Sequence, residues 1–457
     1  MNSEFISALQ EIVGETHLSV TEADRTQHGR DQSSHPASLP EAVIWPESTQ
    51  QVSAILRLAN ENKIPVVGWG AGTSLEGNPI PVRGGLVVDF GRMNQIIEIH
   101  AQDFQVTVQP GILYKDMNKV LARNGLFFAP DPGANASIGG MVANNAAGIR
   151  TVKYGATRDN VLALEVVLAN GEIIRTGSRS VKQSAGYDLT HLFTGSEGTL
   201  GLVTEATLKL APLPEHFSAV TVAFPSVEAA AATVFNIIGA GLNPAALELL
   251  GAELIEILNK EAGFEFAVLP NLLMEFNGAS EASLNEELAL VKEICEAYDC
   301  ERFEAGLGRE ARNRLWEARH QVFEILVRHY AGQTWSLTDV AVPISNYPEL
   351  VSYAVETSRQ LGLNTVFVGH AGDGNLHTTS FFSPEDQATG DRTKQLNEKL
   401  VSKALALSGT STGEHGVGLG KQKYMMQEHG AAALTVMRQL KATLDPHNIL
   451  NPGKVLG

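Results

Sequence analysis

Lys63-Ile64-Pro65-Val66-Val67-Gly68-Trp69-Gly70-Ala71-Gly72-Thr73-Ser74 joins an apolar, β-branched segment directly to a glycine-rich loop. The first five residues read as a short strand. Ahead of them Ser48 and Gln51 make a capping-box pattern, and Val52, Ile55, Leu56 and Ala59 recur at helical spacing. The order is helix, strand, loop. Glycines without a Cβ let backbone N–H groups close around an anion, and Thr73 and Ser74 add hydroxyl donors, a set suited to a pyrophosphate. The glycines fall on every second residue and no helical pattern follows, so this is not the dinucleotide-binding fingerprint. No Lys-Ser or Lys-Thr closes the loop, so it is not a Walker loop either. The same residues would equally make a tight loop with no ligand.

Working outward, strands are expected at Leu86–Phe90, Ile96–His100 and Gln105–Gln109, and a helix around Leu113–Arg123 that buries Tyr114, Met117, Val120 and Leu121. Pro130–Ala134 is a loop, Ser137 caps a short helix through Asn145, and Asn170-Gly171 turns a hairpin between Val161–Leu168 and Glu172–Thr176. A second glycine-rich turn, Gly195-Ser196-Glu197-Gly198, precedes a strand at Leu202–Leu210. Each small-residue turn taken singly is equally explained by close backbone packing. Three within about two hundred residues point to a large cofactor. Pro212 and Pro214 mark a boundary. Beyond it, strand-helix-strand repeated twice, from Ala219 to Tyr298, suggests a split βαβ sheet, followed by an Arg-rich helix at Arg309–Arg328 and a helical tail from Ala431.

Three further motifs carry chemistry. In Gly369-His370-Ala371-Gly372-Asp373-Gly374-Asn375-Leu376-His377 a tight turn separates two strands, which can set His370 and His377 side by side as metal ligands. Glu414, in Thr412-Gly413-Glu414-His415-Gly416, can complete a two-His, one-carboxylate set, and the adjacent His415, pointing elsewhere, can serve as acid or base. Read alone, that segment is equally an ordinary turn. Arg319, on the Arg-rich helix, can hold a carboxylate bidentately, although most arginines on such a helix are solvated.

Composition narrows the classes. The 457 residues suffice for two or three domains, and 44% hydrophobic content with 43 glycines is globular. With 34 Lys plus Arg against 51 Asp plus Glu, the net charge of −17 argues against nucleic acid and against a basic membrane-docking patch. Cys295 and Cys300 build no disulfide framework and no zinc knuckle. The acidic, amphipathic start lacks the basic character of a targeting peptide, and no stretch is long enough to span a bilayer. The expectation is a cytoplasmic protein, with peripheral membrane association left open.

Taken together, Gly70–Ser74, Ser137-Ile138-Gly139-Gly140, Gly186-Tyr187-Asp188-Leu189, Gly195–Gly201, Gly369–His377, Gly413–Gly416 and Asn451-Pro452-Gly453-Lys454 resemble the FAD-linked 2-hydroxyacid dehydrogenases of the vanillyl-alcohol-oxidase (PCMH-type) superfamily. The resemblance runs from about Pro40 to the C-terminus and is strongest to the cytochrome-linked D-lactate dehydrogenases. The glycolate oxidase flavin subunit and D-2-hydroxyglutarate dehydrogenase are close alternatives. It implies an α+β protein: a two-subdomain FAD-binding domain over residues 1–212, a ferredoxin-like cap or substrate domain over 213–430, and a helical tail over 431–457 returning to the FAD domain. It implies that Trp69, Gly70, Ala71, Gly72, Thr73 and Ser74 cradle the FAD pyrophosphate. Pro132, Gly133, Ser137, Gly140, Ala147 and Gly148 would line the ribityl chain and isoalloxazine. Glu197, Gly198 and Val203 would line the adenine side, and Asn451 would contribute from the tail. His370, His377 and Glu414 would bind zinc or manganese, His415 would be the catalytic base, and Arg319 the substrate-carboxylate clamp.

Gly68–Gly77 contains no His or Cys, so FAD is expected to be non-covalent. The hydroxyglutarate enzymes carry a Lys where this chain has Leu337, two residues before Asp339, which favours a small monocarboxylate such as D-lactate. The expected partners are a small 2-hydroxy acid and an electron acceptor (a cytochrome, a quinone or electron-transfer flavoprotein), and a homodimer is allowed. A competing class is a flavin-free, metal-dependent hydrolase, which leaves the N-terminal glycine loops without a role.

Overall fold

Ser48 accepts a hydrogen bond from the Gln51 N–H at 3.3 Å and starts a helix over Thr49–Asn62. Gln51 does not reach back to Ser48; its side-chain oxygen accepts from the Glu47 N–H, one residue earlier. Lys63 ends the helix in the left-handed region (φ 53°), and the Ile64 N–H returns to the Ala59 carbonyl. That reversal delays the strand, which occupies Val66–Trp69 rather than Lys63–Val67. The computed structural model describes residues 1–320 and 322–457; the Arg-rich helix expected at Arg309–Arg328 spans Gln321, which lies outside the described residues.

The chain divides into two compact units. The first comprises Met1–Ala147, Gly155–Leu213 and Glu414–Gly457, and the second Gly148–Tyr154 and Pro214–Gly413. In the first unit, Ala42–Ile44, Leu86–Asp89 and Val66–Trp69 run parallel in that order, with Leu18–Ser19 antiparallel at the edge. Ile55, Leu56, Leu86 and Val88 form a core that also buries Ile449 and Leu450 of the C-terminal tail. The tail is hydrogen-bonded onto the strand: Val66 N–H donates to the Ile449 carbonyl at 2.7 Å and Asn451 N–H to the Val66 carbonyl at 2.8 Å.

An antiparallel sheet with strand order Ile96–His100, Gln105–Val108, Leu202–Lys209, Val161–Val167 and Ile173–Gly177 completes this unit. The helix Tyr114–Leu121 packs on it through Tyr114, Met117 and Leu121. Val120, expected inside, stands at the margin of that face and is 37% exposed.

The second unit is built on a seven-stranded, wholly antiparallel sheet. Its first four strands in sequence are His216–Ala223, Ala246–Leu250, Asn271–Gly278 and Arg302–Leu307. The fourth lies beside the first and the third lies between the first and second, which is the ferredoxin-like order. Thr365–Gly369, Asn375–Phe382 and Thr334–Ala341 extend the sheet beyond Ala246–Leu250. Among the described residues no helix is long and apolar enough to cross a membrane.

Candidate functional site

In the first unit the three small-residue turns come together. A Cβ at Gly70 would lie 2.1 Å from Ser137 Oγ, so the loop after Trp69 rests directly on the start of the helix Ile138–Asn144. Ser137 Oγ is already occupied in capping that helix, accepting from the Gly140 N–H at 3.3 Å. At the other end of the same helix, Gly195 N–H donates to the Val142 carbonyl and Glu197 N–H to the Ala143 carbonyl. Gly72 has φ +67°, and a Cβ there would strike the Trp69 ring at 2.6 Å.

The backbone N–H groups of Ala71–Ser74 and the hydroxyls of Thr73 and Ser74 make no hydrogen bond among the described residues. Four backbone amides and two hydroxyls with no partner among the described residues fit a pyrophosphate. Pro132 and Gly133 lie in a loop tied to the Tyr114–Leu121 helix by Tyr114 Oη donating to the Pro132 carbonyl at 3.0 Å. Val203 is half-buried against the second core of this unit. Ala147 ends a segment of the first unit, whereas Gly148 opens the segment assigned to the second.

Glu197 is the clasp of this arrangement. Its carboxylate accepts from the Val417 N–H (2.6 Å), the Asn78 amide (2.8 Å) and the Gly418 N–H (2.9 Å), and its carbonyl accepts from Asn451 Nδ2 at 2.8 Å. Burial pushes its pKa above the usual carboxylate range despite those donors. Lys454, whose pKa burial pushes down to about 8, donates to the Ile80 carbonyl at 2.5 Å. The polar atoms of Glu197 are therefore taken up within the unit. Glu414 and His415 belong to the segment this clasp holds, and His415 Nε2 lies 3.6 Å from Glu414 Oε1.

Sequence reasoning gave no role to the chain before Pro40, yet it forms one wall beside the loop. An open cleft of about 790 Å³ is lined by Thr26, Arg30, Asp31 and Gln32 on one side and by Trp69, Ala71 and Gly72 on the other. His28 is buried under Trp69, with ring centroids 4.9 Å apart. Its Nδ1 lies 2.7 Å from the Asp24 carbonyl and its Nε2 2.8 Å from Asp89 Oδ2. Burial opposes a charge on this ring, but Asp89 and the Asp24 carbonyl more than offset it, and the pKa stands above the usual value.

In the second unit the turn between Thr365–Gly369 and Asn375–Phe382 places His370 and His377 with ring centroids 5.2 Å apart, side by side as their spacing predicts. Both are buried. His377 Nδ1 is 3.7 Å from Asp339 Oδ1, and Asp339 also accepts from Asn375 Nδ2 and from the Thr412 hydroxyl, each at 2.8 Å. A Cβ at Gly413 would meet Asn375 Nδ2 at 2.3 Å and Asp339 Oδ1 at 2.9 Å, so the Gly413 backbone lies tight against this cluster. Two imidazoles with a carboxylate beside them are a donor set that suits zinc or manganese.

Arg319 is half-buried. Its Nε donates to Glu248 Oε2 at 2.7 Å, while its terminal nitrogens make no hydrogen bond among the described residues. The helix Gly308–His320 is docked through charge: Arg312 and Trp316 bond to Glu275, and Arg319 to Glu248, two buried carboxylates on adjacent strands. The 312, 316, 319 spacing puts all three on one helix face. Glu248 was not singled out from the sequence. The available signal was a lone carboxylate inside the apolar strand Ala246-Leu247-Glu248-Leu249-Leu250.

Residues 213–455 match the C-terminal domain of FAD-linked oxidases, and residues 40–177 match an FAD-binding domain. A probable mitochondrial D-lactate dehydrogenase of Danio rerio is 41% identical over 99% of this chain and 91% of its own length. A cytochrome-type mitochondrial D-lactate dehydrogenase of Arabidopsis thaliana is 40% identical, over 99% and 80%. A glycolate oxidase subunit GlcD of Bacillus subtilis is 39% identical, over 98% and 95%. Among solved structures, a 4-ethylphenol oxidase from Gulosibacter chungangensis superposes with a TM-score of 0.80 at 18% identity, covering 99% of this chain and 96% of that one. That last likeness speaks to the fold alone.

Proposed function

The chain belongs to the FAD-linked oxidases, and from that premise we propose that it oxidises a small D-2-hydroxy acid, D-lactate to pyruvate, with non-covalently bound FAD and a divalent metal ion. The observation that carries this reading is full-length similarity, at 41% and 40% identity, to D-lactate dehydrogenases. When bound, FAD supplies the acceptor for a hydride from substrate C2, and zinc or manganese supplies Lewis acidity.

The chain's own residues do the rest. Trp69–Ser74, Pro132, Gly133, Ser137, Gly140, Ala147, Gly148, Gly198, Val203 and Asn451 hold the cofactor, with Glu197 fastening the Asn78 and Val417–Gly418 segments around it. His370, His377 and Glu414 are the metal ligands. The terminal nitrogens of Arg319 pair with the substrate carboxylate and fix the orientation of C2. His415 takes the proton of the 2-hydroxyl group, so that loss of that proton and of the C2 hydride together yields the 2-keto acid.

Leu337 supports a short substrate. It sits in the strand Thr334–Ala341 opposite Thr379 and offers no cation to a second carboxylate. Electrons then pass to an external acceptor, and the cytochrome-type relatives favour a cytochrome. The GlcD relative makes glycolate the second substrate to try. Turnover with an artificial electron acceptor, compared across D-lactate, L-lactate, glycolate and D-2-hydroxyglutarate, tests the reading. The highest kcat/KM is expected for D-lactate; a preference for D-2-hydroxyglutarate, or no turnover with any of them, contradicts it.

A further inference from the structure

We propose that Glu248 is a positioning residue that sets both the tautomer of His370 and the direction of Arg319, so that one buried side chain governs metal retention and substrate-carboxylate binding. The inference rests on the roles proposed above for His370 and Arg319.

Glu248 lies in the interior strand Ala246–Leu250 and is completely buried. Its two oxygens are divided. Oε1 is 2.7 Å from His370 Nδ1, and Oε2 is 2.7 Å from Arg319 Nε. An ionised carboxylate can only accept, so the proton of a neutral His370 must sit on Nδ1. The lone pair is then on Nε2, the state a divalent cation requires. On the other side, Glu248 takes the Nε–H of Arg319 and leaves the end of the guanidinium carrying the two terminal nitrogens for a carboxylate.

The same helix supplies an internal control. Glu275, on the neighbouring strand and 2% exposed, anchors it through Arg312 and Trp316 but touches neither His370 nor Arg319. If Glu248 only docked the helix, the two carboxylates would behave alike.

Glutamine at 248 is acceptor on one side and donor on the other, so it must face either His370 Nδ1–H or Arg319 Nε–H with its own amide protons. Flavin-loaded wild type, Glu248→Gln and Glu275→Gln are compared after dialysis for divalent metal per flavin, by elemental analysis, and for KM toward D-lactate. Glu248→Gln is expected to weaken metal retention about tenfold or more and to raise KM, while Glu275→Gln lowers the melting temperature with metal per flavin unchanged. Unchanged metal and KM in Glu248→Gln, with metal present in the wild type, overturns the coupling alone. Equal metal loss in Glu275→Gln also overturns it, because the effect would then be general loosening of the helix. A wild-type protein that carries flavin and no divalent metal overturns the underlying metal assignment and the coupling with it. Should Glu248→Gln fail to give flavin-loaded protein, Glu248→Asp, which keeps the charge but shortens the reach, must shift both readouts in the same direction; wild-type values in that variant overturn the proposal.

Discussion

Gly70 leaves no space for a side chain. Its missing Cβ sits where Ser137 Oγ approaches to 2.1 Å, and that oxygen caps the next helix. Gly70→Ala must therefore displace Ser137 and release the cap, which alone is worth about 1 kcal/mol. We expect Gly70→Ala to lower the flavin-to-protein absorbance ratio and the melting temperature. Ser137→Ala should cost only the cap, and the double variant less than the sum of the two, since the clash is then removed. His415→Ala should keep its flavin but reduce it with D-lactate about 10²–10⁴-fold more slowly, as loss of a general base does, read by anaerobic stopped-flow absorbance. At this scale the sequence was informative wherever spacing alone placed two groups together, as for His370 and His377 on either side of a turn. It was silent on Glu248, which meets His370 and Arg319 from 122 and 71 residues away. Such pairing depends on strand order, which no local pattern encodes.

A helix with a cap and a clean apolar period was legible, as Thr49–Asn62 shows: Ser48 caps it, and Val52, Ile55, Leu56 and Ala59 are buried. The Val66–Trp69 strand was misplaced because the left-handed turn at Lys63 falls on a residue with no glycine or asparagine to announce it. The short segment around His28 carries no motif, and its importance lies in what it is buried against. Its imidazole faces an acceptor at each nitrogen, the Asp24 carbonyl and the Asp89 carboxylate, so both bonds form only when the ring is protonated. With the folded pKa above the usual 6.5, the folded state binds more protons than the unfolded state between 6.5 and that raised value. This contribution is complete below 6.5 and is lost as the pH rises through the folded pKa. Denaturation midpoints measured from about pH 6 to 9 should fall across that window, and His28→Gln should flatten the fall. An unchanged slope in His28→Gln would show that His28 does not set this pH dependence.

For the molecule as a whole, the alternation of strands and helices suggested a split βαβ sheet and the family resemblance implied an α+β protein with a ferredoxin-like cap; the observed strand order agrees with both. The three strands that widen the second sheet to seven were seen only in part, since the link between Ala246–Leu250 and Thr365–Gly369 joins segments more than a hundred residues apart. The net charge of −17 gives a molecule-scale prediction. If a basic cytochrome is the electron acceptor, its reduction should slow steeply as ionic strength rises from about 0.01 to 0.15 M, where the Debye length falls from about 30 to 8 Å, while flavin reduction by substrate stays level. The central claim is that this chain uses flavin to oxidise a small D-2-hydroxy acid. It is tested most directly by an anaerobic visible spectrum of the purified protein, recorded before and after addition of D-lactate and, separately, of L-lactate. The expected result is a yellow protein whose flavin band bleaches with the D isomer alone. A colourless protein that takes up no added FAD, or a yellow one bleached by neither isomer, would contradict it.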